Sequence, residues 1–200
     1  MAIIYPWTMP PIYRYPWDLK VATMTSLRKA NLPTPKKEIE DKKLLKQVNK
    51  TVVSIYKIRK EKPFIILVDT DDKFLQSLAA LVTSVYCLTI PCSGYRTNLD
   101  SISDLIRRWR PTDHFEDQQQ ETMDCIEHRH FLLFENADSG SHLNAQYQAT
   151  FARIFRNRLH KITLFPISET KSLEDHLCAS LGKLVGSMII RNSEVIQRKD

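Results

Sequence analysis

Glycine is scarce in this chain, with four among 200 residues. None falls in the strand-to-helix turn at 64–75, which excludes a phosphate-cradling loop of the G-x-x-x-x-G-K-S/T type there. No run of eighteen apolar residues occurs, so no transmembrane helix is expected. The start, Met1 to Trp7, lacks the basic n-region and long apolar h-region of a signal peptide. Prolines in the same stretch disfavour an amphipathic transit helix. The four cysteines (Cys87, Cys92, Cys125, Cys178) show no regular spacing, which argues against a disulfide framework. A reducing intracellular compartment, cytoplasm or nucleus, is the expectation.

What the chain does hold is unevenly placed. Residues 1–62 carry fourteen Lys/Arg against five Asp/Glu, a net of +9, while residues 63–200 carry fifteen against eighteen, a net of −3. The basic character therefore belongs to the front of the chain, where nucleic acid, an anionic membrane or an acidic protein is the expected kind of partner. Residues 1–35 contain six of the ten prolines and two of the three tryptophans. Such a segment forms no long helix. Its aromatics Trp7, Tyr13, Tyr15 and Trp17 are the kind that anchor protein interfaces. Residues 36–62 form a second unit, a basic amphipathic helix. Its apolar stripe includes Leu45, Val52 and Ile55, expected to meet the following domain or a partner chain.

Residues 63–200 form the third unit, in which strand and helix signals alternate. Strands are expected at 64–68, 86–90, 130–135, 161–167 and 186–190. Helices are expected at 72–84, 98–109, 142–158 and 171–185, with a last partial helix at 192–198. The polar stretch near 110–128 is expected to be an exposed insertion. This alternation predicts an α/β fold, a doubly wound five-stranded parallel sheet with helices on both faces.

The most informative stretch is 64–75. An apolar run from Phe64 to Val68 ends in Asp69, Thr70, Asp71 and Asp72, and helical spacing resumes at Phe74 and Leu75. Carboxylates thus gather at the C-terminal end of a buried strand, where open α/β sheets bind their ligands. Other constellations are weaker. Cys125, His128, His130 and the upstream His114 match no common zinc spacing, so no metal is expected. Ser141/His142 and Ser168/His176 lack a third, orienting group. The knot Arg107 to Arg110 offers phosphate or acidic-partner contacts, as do the lysines of 36–62; nucleic acid is a possible partner through either.

The element order and strand ends resemble the receiver domain of response regulators, over roughly 63–198. Val68-Asp69-Thr70-Asp71 resembles the family's acidic pair. Glu135 falls where the phosphoacceptor aspartate is expected, in Glu135-Asn136-Ala137-Asp138. Ser168, thirty-three residues later, falls at the hydroxyl position, and Arg191, twenty-three after that, at the lysine position. Gly182 sits near the family's glycine before the last strand. The resemblance implies flavodoxin-like, receiver-type topology with an N-terminal extension. Thr70, Glu135 and Arg191 depart from the pattern that phosphoryl transfer needs. They imply a pseudo-receiver whose pocket of Asp69, Thr70, Asp71, Glu135, Ser168 and Arg191 is degenerate. The expected function is a non-catalytic scaffold or regulatory subunit, not an enzyme and without cofactor, working through protein partners in a complex. A phosphorylatable response regulator is one alternative.

A second family also resembles the chain: degenerate P-loop ATPases of the origin-recognition type. In that reading 64–82 is the nucleotide-binding strand and helix. Phe131 to Asp138 is a worn Walker B strand, and Ile162 to Ser168 a sensor strand. Tyr86 to Ser93 and Ser101 to Arg108 are the second strand and its helix. This alternative implies a subunit of a nucleic-acid-associated complex. The two resemblances differ in strand order.

Overall fold

The computed structural model describes residues 42–90, 92–108, 116–137, 145–168 and 172–197. It begins with α1 (Lys42–Ile58), whose apolar positions recur at helical spacing. Leu45, Val48, Val52 and Ile55 are buried together against the next helix. Of the two surfaces expected for Leu45, Val52 and Ile55, the following domain is the one they cover, which corrects their assignment to a partner chain. They are 4%, 1% and 0% exposed, within the domain's own core.

Strand β1 (Phe64–Asp69) is buried except at Val68. Asp71 then caps α2 (Asp72–Thr89), its Oδ1 accepting from the Phe74 amide at 3.1 Å. Helix α2 runs through residues 86–89, where the start of a strand was expected. An apolar run such as Tyr86 to Ile90 cannot be assigned by periodicity alone. Two features decide for helix. Leu75, Leu78, Ala79, Val82, Val85 and Tyr86 hold one buried face. The buried hydroxyls of Thr83, Ser84 and Thr89 donate to carbonyls four residues back, at 2.9, 3.0 and 2.7 Å.

The second strand is instead β2 (Gly94–Asn98), a polar edge strand with little apolar signal. Asn98 Oδ1 accepts from the Ser101 amide at 2.7 Å, starting α3 (Leu99–Arg108). The expected insertion contains α4 (Glu116–His128), which buries Met123 and Ile126. Next come β3 (Phe131–Glu135), α5 (Ala145–Asn157) and β4 (Ile162–Ser168).

The expected helix 171–185 is two helices, α6 (Leu173–Leu181) and α7 (Lys183–Arg191), broken at Gly182 with φ 87°. Val185 and Ile189 are buried one turn apart, so the expected strand at 186–190 is helical. The fifth strand is β5 (Ser193–Gln197), where a partial helix was expected.

The five strands pair in the order β2-β3-β4-β1-β5, all parallel. The expected α/β class and doubly wound five-stranded parallel sheet are present. One face carries α2, with α1 packed on it. The other packs against α3 to α7, around an aromatic cluster of Phe64, Phe134, Phe151, Phe155 and Phe165. The order corrects the receiver resemblance. A receiver-type sheet follows 2-1-3-4-5, with β1 between β2 and β3. Here β1 lies between β4 and β5, and β2 is at the far edge. The order therefore leaves the second resemblance, to the P-loop class, standing.

Candidate functional site

The ends of β1, β4 and β3 define the crevice where an open parallel sheet binds its ligands. Asp69 closes β1 and is buried. Its Oδ1 accepts from the Asp71 amide at 3.0 Å, which folds the turn back on itself. Asp71 in turn accepts from the Phe74 amide. The backbone N–H groups that a phosphate would use at this helix start thus meet the chain's own carboxylates. Asp72, exposed in the first turn of α2, accepts from Ser168 Oγ at 3.4 Å. Ser168 closes β4 and lies in register with Asp69. Thr70 is exposed in the turn.

Asp69, Thr70, Asp71 and Ser168 therefore do come together, but Glu135 and Arg191 do not join them as expected. Strand β4 lies between β1 and β3, so Glu135 stands two strand spacings, about 10 Å, from the β1 line. Its ladder partner is β2. Glu135 lies opposite Asn98 and binds Arg96, one step diagonally back. Arg96 Nε reaches Oε2 at 2.9 Å and Nη2 reaches Oε1 at 3.0 Å. A polar cleft of about 350 Å³ opens beside this pair, lined by Tyr95, Thr97, Asn98, Ser101 and Thr122 among others. Burial raises the Tyr95 phenol's pKa.

Arg191 ends α7, exposed, and its carbonyl accepts from Lys62 Nζ at 3.0 Å. It precedes Ser193, which pairs with Phe64 at the start of β1. Asp69 is five residues along that strand, about 17 Å away. The expected lysine-like position is therefore at the wrong end of the sheet. The misassigned fifth strand is the cause.

Two charged residues escaped the sequence reading. Arg96 was hidden because β2 has no apolar pattern. Arg158 is fully buried just after α5. It donates to Thr163 Oγ1 at 2.8 Å, to the carbonyls of Ile126 and Arg129 at 2.7 and 3.0 Å, and to that of Ile162 at 2.6 Å. Burial pushes its pKa down to about 9, so it stays charged at neutral pH. It ties α4, α5 and β4 at the end of the sheet away from the crevice.

Of the other expected contacts, Arg107 pairs with Asp104 at 2.8 Å on α3, and Trp109 and Arg110 lie outside the described residues. So do Trp7, Tyr13, Tyr15 and Trp17. Among the described residues no cluster of three or more metal-ligating side chains occurs, and no helix is long and apolar enough to cross a membrane.

No family model matches the sequence, and no curated protein matches it. Solved structures do share the fold. The DnaC helicase loader aligns with a TM-score of 0.57 at 16% identity, covering 86% of this chain and 97% of that one. A DNA replication initiation factor aligns at 0.56 and 11%, covering 77% and 46%. DnaI aligns at 0.52 and 14%, covering 80% and 87%. At these identities the likeness is one of fold. It agrees with the strand order in favouring the P-loop resemblance over the receiver. The expectation that the chain is not an enzyme is also corrected: the fold is shared with a helicase loader, which gives that expectation no support. This chain is similar in fold to the DnaC helicase loader and to DnaI along most of its length.

Proposed function

We propose that this chain is a loader-like subunit of a DNA-replication assembly, acting through protein partners gathered around a P-loop-class core. The observation that supports this reading is the sheet order β2-β3-β4-β1-β5, taken with the alignment over 97% of the DnaC helicase loader. By that likeness, the proposed partner is a replicative helicase. The proposed anchors are the arm aromatics Trp7, Tyr13, Tyr15 and Trp17, because the apolar stripe of α1 is spent on the domain's own core. Asp69 and Asp71 hold the β1–α2 turn, and Arg96 with Glu135 clamps the β2–β3 edge.

The experiment is size-exclusion chromatography of the full chain with the purified replicative helicase of the same cell. Co-elution is expected, and it should be lost when Trp7, Tyr13, Tyr15 and Trp17 are all changed to Ala. Separate elution of the unaltered chain and helicase at tens of micromolar contradicts the proposal.

A further inference from the structure

Helix α1 has two faces of opposite character. At about 100° per residue, Lys43, Lys46, Lys50 and Lys57 fall within an arc of about 60°. That arc lies opposite Val48, Val52 and Ile55, which are 0–1% exposed. All four lysines are exposed, and no acidic residue occurs between Lys42 and Lys60. The stripe is therefore of one sign along about 21 Å of helix. Ser54 and the half-buried Val53 flank that arc at about 20° on either side, with Gln47 about 20° beyond Ser54.

We infer that this stripe is a binding surface for the sugar-phosphate backbone of nucleic acid, read without regard to sequence. The inference rests on the loader-like reading for its setting and adds the surface. Three observations select nucleic acid over other anionic partners. A membrane-surface helix needs a free apolar face to bury among lipids, and here that face is inside the core. Protein interfaces are depleted in lysine and rely on aromatic or arginine anchors. The α1 stripe has neither. Lysines are point charges on flexible stems, which suits repeated phosphates and not a fixed fork. The stripe also lacks an aromatic on which bases could stack, so single-strand preference of the stacking kind is not expected.

The test uses the full chain and fluorescence anisotropy with a labelled 20-base-pair duplex and a labelled 20-nucleotide strand, across a salt series. The variant is K43Q/K46Q/K50Q/K57Q, with K73Q/K183Q as a control drawn from exposed lysines elsewhere. Counterion release gives a salt slope of about 0.9 per phosphate neutralised on duplex DNA. The stripe variant should thus lose at least tenfold in affinity at low salt, and its slope should fall by about 3 to 4. The control should stay within about 1.5-fold of the parent in all, well below the stripe variant's loss per charge. Unchanged affinity and slope in the stripe variant overturn the inference, as does an equal loss per charge in the control. Lysine-dependent binding to phosphatidylserine vesicles without DNA binding overturns it too. Helicase co-elution is measured on the same variant. Retained co-elution with lost DNA binding supports the inference and leaves the loader reading intact. Lost co-elution with unchanged DNA binding assigns the face to protein and overturns it.

Discussion

Arg96 and Glu135 face each other diagonally across β2 and β3 in a two-pronged ion pair, with N···O distances of 2.9 and 3.0 Å. Their side chains are 34% and 11% exposed, so solvent weakens the pair only from the arginine side. Bidentate geometry of this kind is stronger than a single contact.

Arg96→Ala should therefore cost about 1–3 kcal/mol, because Glu135 keeps its charge in a nearly closed place. The double variant R96A/E135Q should recover part of that loss, since the two residues act as one unit. Urea unfolding of the four members of the cycle measures the coupling. Additive losses would mean that the pair contributes nothing as a pair.

Arg158 has four acceptors and no carboxylate among them. Arg158→Met removes the donor from the buried carbonyl of Ile126 and the buried hydroxyl of Thr163, and the expected cost is on the order of 3 kcal/mol. Arg158→Lys should restore only part of it, because an ammonium cannot span acceptors placed for a planar fork. Chemical denaturation midpoints check both. Equal stability of the Met variant and the parent would show that the network carries no net stability.

Tyr86 gives a pH prediction. Burial raises its phenol's pKa well above the ordinary value of 10.0, the nearby Arg59 acting the other way. The ring packs on Phe131 with centroids 5.0 Å apart. Above pH 10 the unfolded chain releases this proton while the folded chain holds it. Stability from this source is thus complete below pH 10 and falls as pH rises beyond it. Tyr86→Phe should show a shallower alkaline loss of stability than the parent. Thermal melts from pH 9 to 11.5 on both proteins measure it, and identical slopes would contradict the assignment.

Much of the sheet was legible because its central strands are short apolar runs. Phe64 to Val68, Phe131 to Phe134 and Ile162 to Phe165 announce themselves, and Asp69 marks the end of the first. The failures have a common physical origin. Tyr86 to Thr89 and Met188 to Ile190 are apolar runs that fit strand or helix equally. Their state is set by packing: the buried hydroxyls on α2 and the Gly182 break before α7. The two edge strands, Gly94–Asn98 and Ser193–Gln197, are half-solvated and carry no run at all. Missing them cost the strand order, and the strand order separates a receiver from a P-loop fold. Glu135 was placed at the correct strand end, yet its partner Arg96 sits on one of those silent edges. Arg191 belongs in the crevice only if 186–190 is the last strand, and that segment is helical.

The most direct test of the loader-like reading is helicase delivery to closed circular single-stranded DNA. Helicase retained on the circles is measured after incubation with and without saturating full-length chain. The account predicts at least a severalfold gain in retained helicase when the chain is present, and a smaller gain when Trp7, Tyr13, Tyr15 and Trp17 are replaced by Ala. Equal retention with and without the chain would contradict it.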